Sequence, residues 1–236
     1  MQIIQKGNKY TNCSGRGGHI PIAIVNHISG GTMSSMDSWF QSSGNLVSSA
    51  HFGVSKSGEI HQYVDITKMA WCNGITVDSI PKAKAAIVKE QAPTNPNKYT
   101  ISIEHEGMDG SLTEAQFAAS VWLHKYISDE VKRLYGKAII LDEKHVIGHF
   151  QIDPVRKPFC PGPKFPWSRL YTEIKTKKVE NVMNKEVKVS VNVNGKKVAD
   201  GVLDNGTTFT PARAVAEALG ATVIYDAYTK TVIITK

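Results

Sequence analysis

The sequence predicts an α/β fold, with a mixed central β-sheet flanked by helices and a small ββαββ domain at the C-terminal end. Two observations support this prediction. Short apolar or β-branched runs alternate with helix-like segments through the longer N-terminal part of the chain, which is the pattern of a mixed α/β domain. After a lysine-rich polar stretch, the pattern changes to pairs of strands around one short helix.

In the N-terminal part, clusters of apolar and β-branched residues between turn residues predict strands. These strands are Ile20–His27, Ser49–Val54, Glu59–Val64 and Tyr99–Glu104. Apolar residues at three- and four-residue steps predict helices, the clearest of which ends just before a glycine suited to the C′ position. The helices are Ser34–Phe40, Thr113–Tyr135 followed by Gly136, and Trp167–Lys175 after Pro166.

The C-terminal part begins with the alternating strand Val187–Val193 and the turn Asn194-Gly195, from which a second strand returns. A helix over Pro211–Leu219 and two further strands follow, Thr222–Tyr225 and Thr231–Thr235. We therefore predict a larger N-terminal domain over residues 1–174, a lysine-rich linker over 175–186 and a small α+β domain over 187–236.

Composition excludes several classes of protein. The apolar fraction of 41% and the charged fraction of 21% are typical of a globular protein. The net charge of +7 favours polyanionic surroundings, but no nucleic-acid-binding motif accompanies it. No run of apolar residues is long enough for a membrane span or, at the N-terminus, for a signal peptide. The three cysteines, an odd number, fit synthesis in a reducing compartment.

His27, His149 and Cys160 are the most informative side chains. Two imidazoles and one thiolate form the ligand set of a catalytic Zn²⁺, which keeps its fourth position for water. A structural zinc site more often uses paired C-x-x-C spacings, which this chain lacks. His27 ends an apolar, strand-like run, and the other two residues bracket a proline-rich loop.

A series of motifs around these residues completes the pattern. In order along the chain they are Asn26-His27, Ser49–Val54, Gly58–Val64, Ala70-Trp71, Ile101–Glu104, Gly148-His149, Lys157 and Cys160-Pro161-Gly162. The chain thereby resembles, over roughly residues 20 to 170, the zinc-dependent N-acetylmuramoyl-L-alanine amidases of the phage-lysozyme and peptidoglycan-recognition-protein type. The resemblance implies that His27, His149 and Cys160 hold one Zn²⁺ per chain. It also implies that a zinc-bound water cuts the amide between N-acetylmuramic acid and L-alanine.

The resemblance assigns further catalytic residues. Glu104, near the end of its strand, is the expected general base, and Glu106 is its nearest competitor. Lys157 is the expected stabiliser of the tetrahedral oxyanion. Because the loop before Cys160 is one residue longer than in the family, Arg156 remains a rival for that role. Tyr63 corresponds to a catalytic tyrosine in some relatives and to a pocket-lining residue in others.

Other histidines and cysteines carry weaker signals. His51 and His61 are expected to line the pocket or belong to the core. His145, four residues before His149, is a less suitable ligand candidate. No family role carries over to Cys72, and the sequence leaves open whether it pairs with Cys13.

Residues 201–220 resemble the small domain named after the N-terminal region of copper amine oxidases. No histidine or cysteine follows Cys160, so this domain lacks the usual soft copper ligands. We expect this domain to bind the bacterial cell wall, through anionic wall polymers, or to serve assembly. The alternative is a structural appendage without a binding role.

The leading hypothesis is an endolysin that waits in the host cytoplasm and acts on bacterial peptidoglycan after release. It is expected to contact neither nucleic acid nor membrane, and its oligomeric state is open. One alternative is a peptidoglycan-binding protein without turnover. The other is a basic nucleic-acid-binding regulator, which is supported only by the net positive charge.

Overall fold

The computed structural model describes residues 1–176, 187–204, 207–226 and 229–236. The chain divides into two compact units, Met1–Thr176 and Lys177–Lys236. Most of the linker predicted over 175–186 lies outside the described residues.

The first unit combines short strands with helices. Its strands are β1 (Ile3–Gln5), β2 (Cys13–Gly15), β3 (Ala23–Ile28), β4 (Phe52–Val54), β5 (Ile60–Gln62), β6 (Lys68–Ala70), β7 (Thr100–His105) and β8 (Val146–Gly148). Its α-helices are α1 (Met33–Phe40), α2 (Ala86–Glu90), α3 (Glu114–Tyr135), α4 (His149–Ile152) and α5 (Trp167–Lys175), and short 3₁₀ segments cover Val77–Lys82 and Pro96–Lys98.

Six strands form the main sheet in the order β1-β5-β4-β7-β3-β8. Strands β4, β7, β3 and β8 run parallel to one another, whereas β5 is antiparallel to β4 and parallel to β1. Strands β2 and β6 pair separately as an antiparallel ribbon. The predicted mixed central sheet with flanking helices is confirmed.

The central strands are buried on both faces, since successive side chains of a strand point to opposite sides. On β3, Ile24 joins the larger apolar cluster with Leu123 and Ile127 of α3. Its neighbours Ala23 and Val25 join a second cluster that includes α2 and the 3₁₀ segment before it. This coverage of both faces explains why the first half of β3, Ala23–Val25, is entirely apolar.

Helix α3 forms as its sequence predicts. The hydroxyl of Thr113 caps its N-terminus by accepting a hydrogen bond from the backbone N–H of Gln116 at 3.1 Å. Gly136 ends it in the left-handed conformation, with φ of 76°. Among the described residues, no helix has both the length and the apolar character that a membrane span requires.

Several elements were missing from the sequence-based prediction. Strands β1, β2, β6 and β8 contain three residues each, too few to show a periodic pattern, and their pairing partners are distant in sequence. The segment after β8 was expected to be a loop, but it begins with the single helical turn α4.

The second unit contains β9 (Val187–Val193), β10 (Lys196–Asp204), β11 (Thr207–Phe209), α6 (Ala212–Ala218), β12 (Thr222–Asp226) and β13 (Thr231–Thr235). Asn194 and Gly195 form the predicted turn, and both have positive φ. The strands form an antiparallel β11-β10-β9 sheet and an antiparallel β12-β13 pair. The predicted ββαββ pattern is thus present, with β11 as an additional short strand.

Candidate active site

Three neighbouring parallel strands bring the candidate residues to one edge of the sheet. His27 on β3 lies in register with Glu104 on β7, and Asn26 lies in register with Gly148 at the end of β8. His149 is the next residue along the chain. Because the carboxyl ends of parallel strands meet at one edge of a sheet, residues far apart in sequence converge there.

Cys160 reaches this edge through the loop after α4. Its carbonyl accepts a hydrogen bond from the backbone N–H of Phe150 at 2.9 Å, which folds the loop back onto the helix. Gly162 has φ of 114°, and a Cβ there would lie only 2.3 Å from the backbone of Asp109. Only glycine fits this position, so the Cys-Pro-Gly sequence fixes where the thiol sits.

His27, His149 and Cys160 form a compact donor cluster. One ligand atom of each lies within 4.8 Å of the others, and the two imidazole centroids are 4.5 Å apart. The Nδ1 atom of His27 and the Sγ atom of Cys160 are 3.7 Å apart. Zinc–nitrogen bonds of about 2.1 Å and zinc–sulfur bonds of about 2.3 Å at a tetrahedral angle give a separation of about 3.6 Å. The spacing therefore fits a tetrahedral zinc ion.

The protonation states of the cluster also suit a cation. Burial, reinforced by His149, lowers the pKa of His27 well below its usual value. Burial and the charge of Lys157 lower the pKa of His149 to about 4, so both imidazoles are neutral ligands at neutral pH. Burial and the charge of Glu104 raise the pKa of Cys160 to about 12. A bound cation would supply the positive charge that stabilises its thiolate.

Glu104 borders the donor cluster. Its Oε1 atom lies 3.8 Å from Nδ1 of His27, and the thiol of Cys72 donates a hydrogen bond to the same oxygen at 3.6 Å. Its Oε2 atom is buried and has no hydrogen-bond partner in the described part of the chain. Burial raises the pKa of Glu104 to about 7, which allows the carboxyl group to accept and release a proton near neutral pH.

The cluster lies in the wall of an open cleft with a volume of about 710 Å³. Trp39, Val47 and Trp71 contribute apolar surface to this cleft, and Arg156 and Lys157 contribute positive charge. The cleft therefore combines an extended apolar surface with a cationic side near the donor cluster.

The two rival cations differ in their environments. The guanidinium of Arg156 forms an ion pair with the buried Asp153 and donates to the carbonyl of Gly74 at 3.1 Å. The ammonium of Lys157 has no hydrogen-bond or ion-pair partner among residues 1–176, and its charge acts on both histidines of the cluster. Arg156 is thus held in place by its neighbours, whereas Lys157 is available to a ligand in the cleft.

Tyr63 is turned toward helix α1. Its hydroxyl donates a hydrogen bond to Asp37 at 2.7 Å, and His61 contacts the same carboxylate at 2.8 Å. Neither ring belongs to the cleft lining within the described residues. A catalytic role for Tyr63 stays a prediction.

The remaining candidates lie away from the donor cluster. Glu106 accepts a hydrogen bond from the backbone N–H of Lys56 at 2.7 Å. His51 is buried in the interior, and His145 is bonded to the side chain of Asp142 at 2.6 Å.

Two neighbours of the cluster were missed by sequence reasoning. The Sγ atom of Cys72 lies 3.5 Å from Nε2 and 3.8 Å from Nδ1 of His27, and Cys72 forms a second possible donor set with His27 and Glu104. The side-chain oxygen of Asn73 lies 2.8 Å from Nε2 of His27. Their only sequence signal is their position directly after the Ala70-Trp71 motif. Cys72 and the exposed Cys13 are both free thiols.

Comparison with known proteins finds a family match in each unit. Residues 17–163 match the N-acetylmuramoyl-L-alanine amidase family, and residues 192–236 match the copper amine oxidase N-terminal domain. The chain is 30% identical over 139 residues to the 1,6-anhydro-N-acetylmuramyl-L-alanine amidase AmpD of Enterobacter cloacae, a match covering 58% of this chain and 63% of that protein. It is also 30% identical over 166 residues to N-acetylmuramoyl-L-alanine amidase A of Achromobacter lyticus, covering 64% and 82%.

Solved structures share the fold. A selenomethionine derivative of AmpD superposes with a TM-score of 0.55 at 24% identity, over 73% of this chain and 94% of that one. A mutant endolysin from Bacillus subtilis gives a TM-score of 0.50 at 20% identity, over 74% and 99%.

Proposed function

The chain belongs to the N-acetylmuramoyl-L-alanine amidase family, and on this basis we propose that it is a zinc-dependent hydrolase of peptidoglycan. The bond cut is the amide between the lactyl group of N-acetylmuramic acid and the first L-alanine. The observation that carries the proposal is the convergence of three metal donors and a largely buried carboxyl group at one sheet edge. The complete donor set favours turnover over the alternative of binding peptidoglycan without cutting it.

Each side chain has a role that its position supports. When held by His27, His149 and Cys160, zinc supplies a Lewis acid for the scissile carbonyl and lowers the pKa of a water molecule. Glu104 takes the proton of the attacking water and passes it to the leaving amine, a role that its buried Oε2 and its pKa near 7 support. The unpaired ammonium of Lys157 stabilises the tetrahedral oxyanion.

We propose intact bacterial wall as the physiological substrate, which makes the protein an endolysin that acts after release from the host cell. This proposal follows the similarity to a structure described as a mutant endolysin, and it assigns wall binding to the second unit. The similarity to AmpD favours a second candidate, the hydrolysis of soluble 1,6-anhydro-muropeptides.

The metal assignment predicts the behaviour of a cysteine variant. Wild-type protein should bind one zinc ion per chain, and chelation should abolish turnover until zinc is restored. Cys160→Ser should lose both zinc and turnover, because a hydroxyl is a much poorer zinc ligand than a thiolate. Cys13→Ser, which changes an exposed thiol, should keep both. Full turnover in protein shown by elemental analysis to be metal-free would refute the assignment.

The base assignment predicts that Glu104→Gln keeps zinc but loses about 10²–10⁴-fold in kcat, because the amide preserves shape without accepting a proton. Glu106→Gln is the matched control and should remain close to wild type. Release of L-alanine amino groups from soluble muropeptides measures the rates. Equal losses in the two variants would contradict the assignment to Glu104.

The cation assignment predicts that Lys157→Ala lowers kcat by about 10²–10³-fold. Arg156→Ala should mainly lower thermal stability, because it leaves the buried Asp153 carboxylate without its ion-pair partner. Rate and melting temperature should be measured on both variants. A near-normal rate for Lys157→Ala beside a damaged Arg156→Ala would transfer the role to Arg156.

The wall-binding assignment predicts the effect of removing the second unit. A protein of residues 1–176 should hydrolyse soluble muropeptides as fast as the full chain but bind and lyse purified walls less well, because tethering raises local concentration. Cosedimentation with walls and turbidity loss measure both effects. Undiminished wall lysis would remove the binding role, and activity restricted to 1,6-anhydro-muropeptides would support the second candidate.

A further inference from the structure

A chain of hydrogen bonds that runs from Pro96 through Thr100 and Asn73 to His27 determines which imidazole nitrogen of His27 carries a proton. The first group in this chain is the backbone carbonyl oxygen of Pro96, which can only accept a hydrogen bond. The hydroxyl of Thr100 lies 2.6 Å from this oxygen and must give it its hydrogen. Thr100 is buried, with 1% of its surface exposed, so water does not compete for these bonds.

The direction of this first bond fixes the next one. Since the Thr100 hydroxyl has donated its only hydrogen, its oxygen can only accept from Asn73, at 2.9 Å. The Asn73 side-chain atom on this side must therefore be the amide nitrogen, because the carbonyl oxygen has no hydrogen to donate. An amide orientation that is normally ambiguous is thus decided by the carbonyl at the start of the chain of bonds.

The orientation of the Asn73 amide in turn determines the protonation of the His27 imidazole. The carbonyl oxygen of Asn73 faces Nε2 of His27 at 2.8 Å and can only accept, so Nε2 carries the proton. Nδ1 then holds the lone pair. It is Nδ1 that lies 3.7 Å from Sγ of Cys160 and 3.8 Å from Oε1 of Glu104, on the side of the donor cluster.

We infer that Asn73 and Thr100 are positioning residues that hold His27 as the Nε2–H tautomer, so that it binds zinc through Nδ1. The inference rests on the proposed role of His27 as a zinc ligand. Partners of this kind orient a metal-binding imidazole and increase its basicity, and their loss typically costs about 10–100-fold in metal affinity. The backbone of Asn73 is itself fixed, because its N–H donates to the side chain of Asn97 at 2.6 Å.

Three variants of the full chain separate the hydrogen bond from packing. Asn73→Leu removes the acceptor for Nε2–H and should weaken zinc binding by about 10–100-fold. Thr100→Val keeps the side-chain shape but removes the hydroxyl, so the Asn73 amide can rotate by about 180°. This variant should also have a lower zinc affinity. Asn73→Asp supplies a carboxylate oxygen that still accepts from Nε2–H, so it should retain most of the affinity. Competition with a chromophoric chelator measures zinc dissociation in each case.

Ser128→Ala is the matched control, because it also removes a buried hydroxyl-to-carbonyl hydrogen bond, to Ile139 at 2.7 Å. It should lower thermal stability without changing zinc affinity. In zinc-loaded wild type, ¹H–¹⁵N correlation spectra of the imidazoles should show His27 protonated at Nε2 and metal-bound at Nδ1.

The outcomes distinguish the inference from the function on which it rests. Wild-type protein that binds no zinc overturns the proposed function. Wild-type protein that binds zinc through Nε2 of His27 overturns the inference alone, and this assignment needs no variant to fold. Unchanged zinc affinity in Asn73→Leu and Thr100→Val, or an equal loss in Asn73→Asp, also overturns it.

Discussion

The parallel pairing of β7, β3 and β8 is the constraint on which the rest of the site depends. It places His27 opposite Glu104 and ends β8 one residue before His149. A shift of one residue in either register would turn these side chains to the other face of the sheet. Burial of both faces of β3 makes such a shift costly, because Ile24 would exchange places with Val25 between two different apolar clusters. The apolar core thus determines the geometry of the polar site.

Burial also sets the charge balance of the site. It keeps both imidazoles neutral and raises the pKa values of Glu104 and Cys160, so the cluster in isolation favours uncharged groups. A divalent cation reverses this preference for the thiol, because thiolate and cation together need less solvation than either alone. The nearby ammonium of Lys157 acts in the same direction on Cys160. The site is therefore suited to a tightly held cation beside a carboxyl group that exchanges protons near neutral pH.

The sequence predicted the long elements because those carry strong local signals, and it predicted the donor set through the order of the surrounding motifs. Helix α3 has its cap, its periodicity and its terminal glycine, and His27 ends a recognisable apolar strand. The short strand β8 and the turn α4 were missed, because their conformations depend on pairing with β3 and on the loop that returns to Cys160. Asn73 was missed for a related reason. An isolated amide has no pattern, and its function depends on Thr100 and Pro96, which are distant in sequence.

We propose that the residues at this edge of the sheet hydrolyse the lactyl–alanine amide of peptidoglycan with one water molecule. Digestion of purified walls in H₂¹⁸O, followed by mass spectrometry of the products, tests it most directly. We expect stem peptides with a free L-alanine amino terminus and glycan strands whose lactyl carboxylate carries one ¹⁸O atom. Products cut within the glycan or at another peptide bond, or walls left intact by zinc-loaded protein, would contradict the claim.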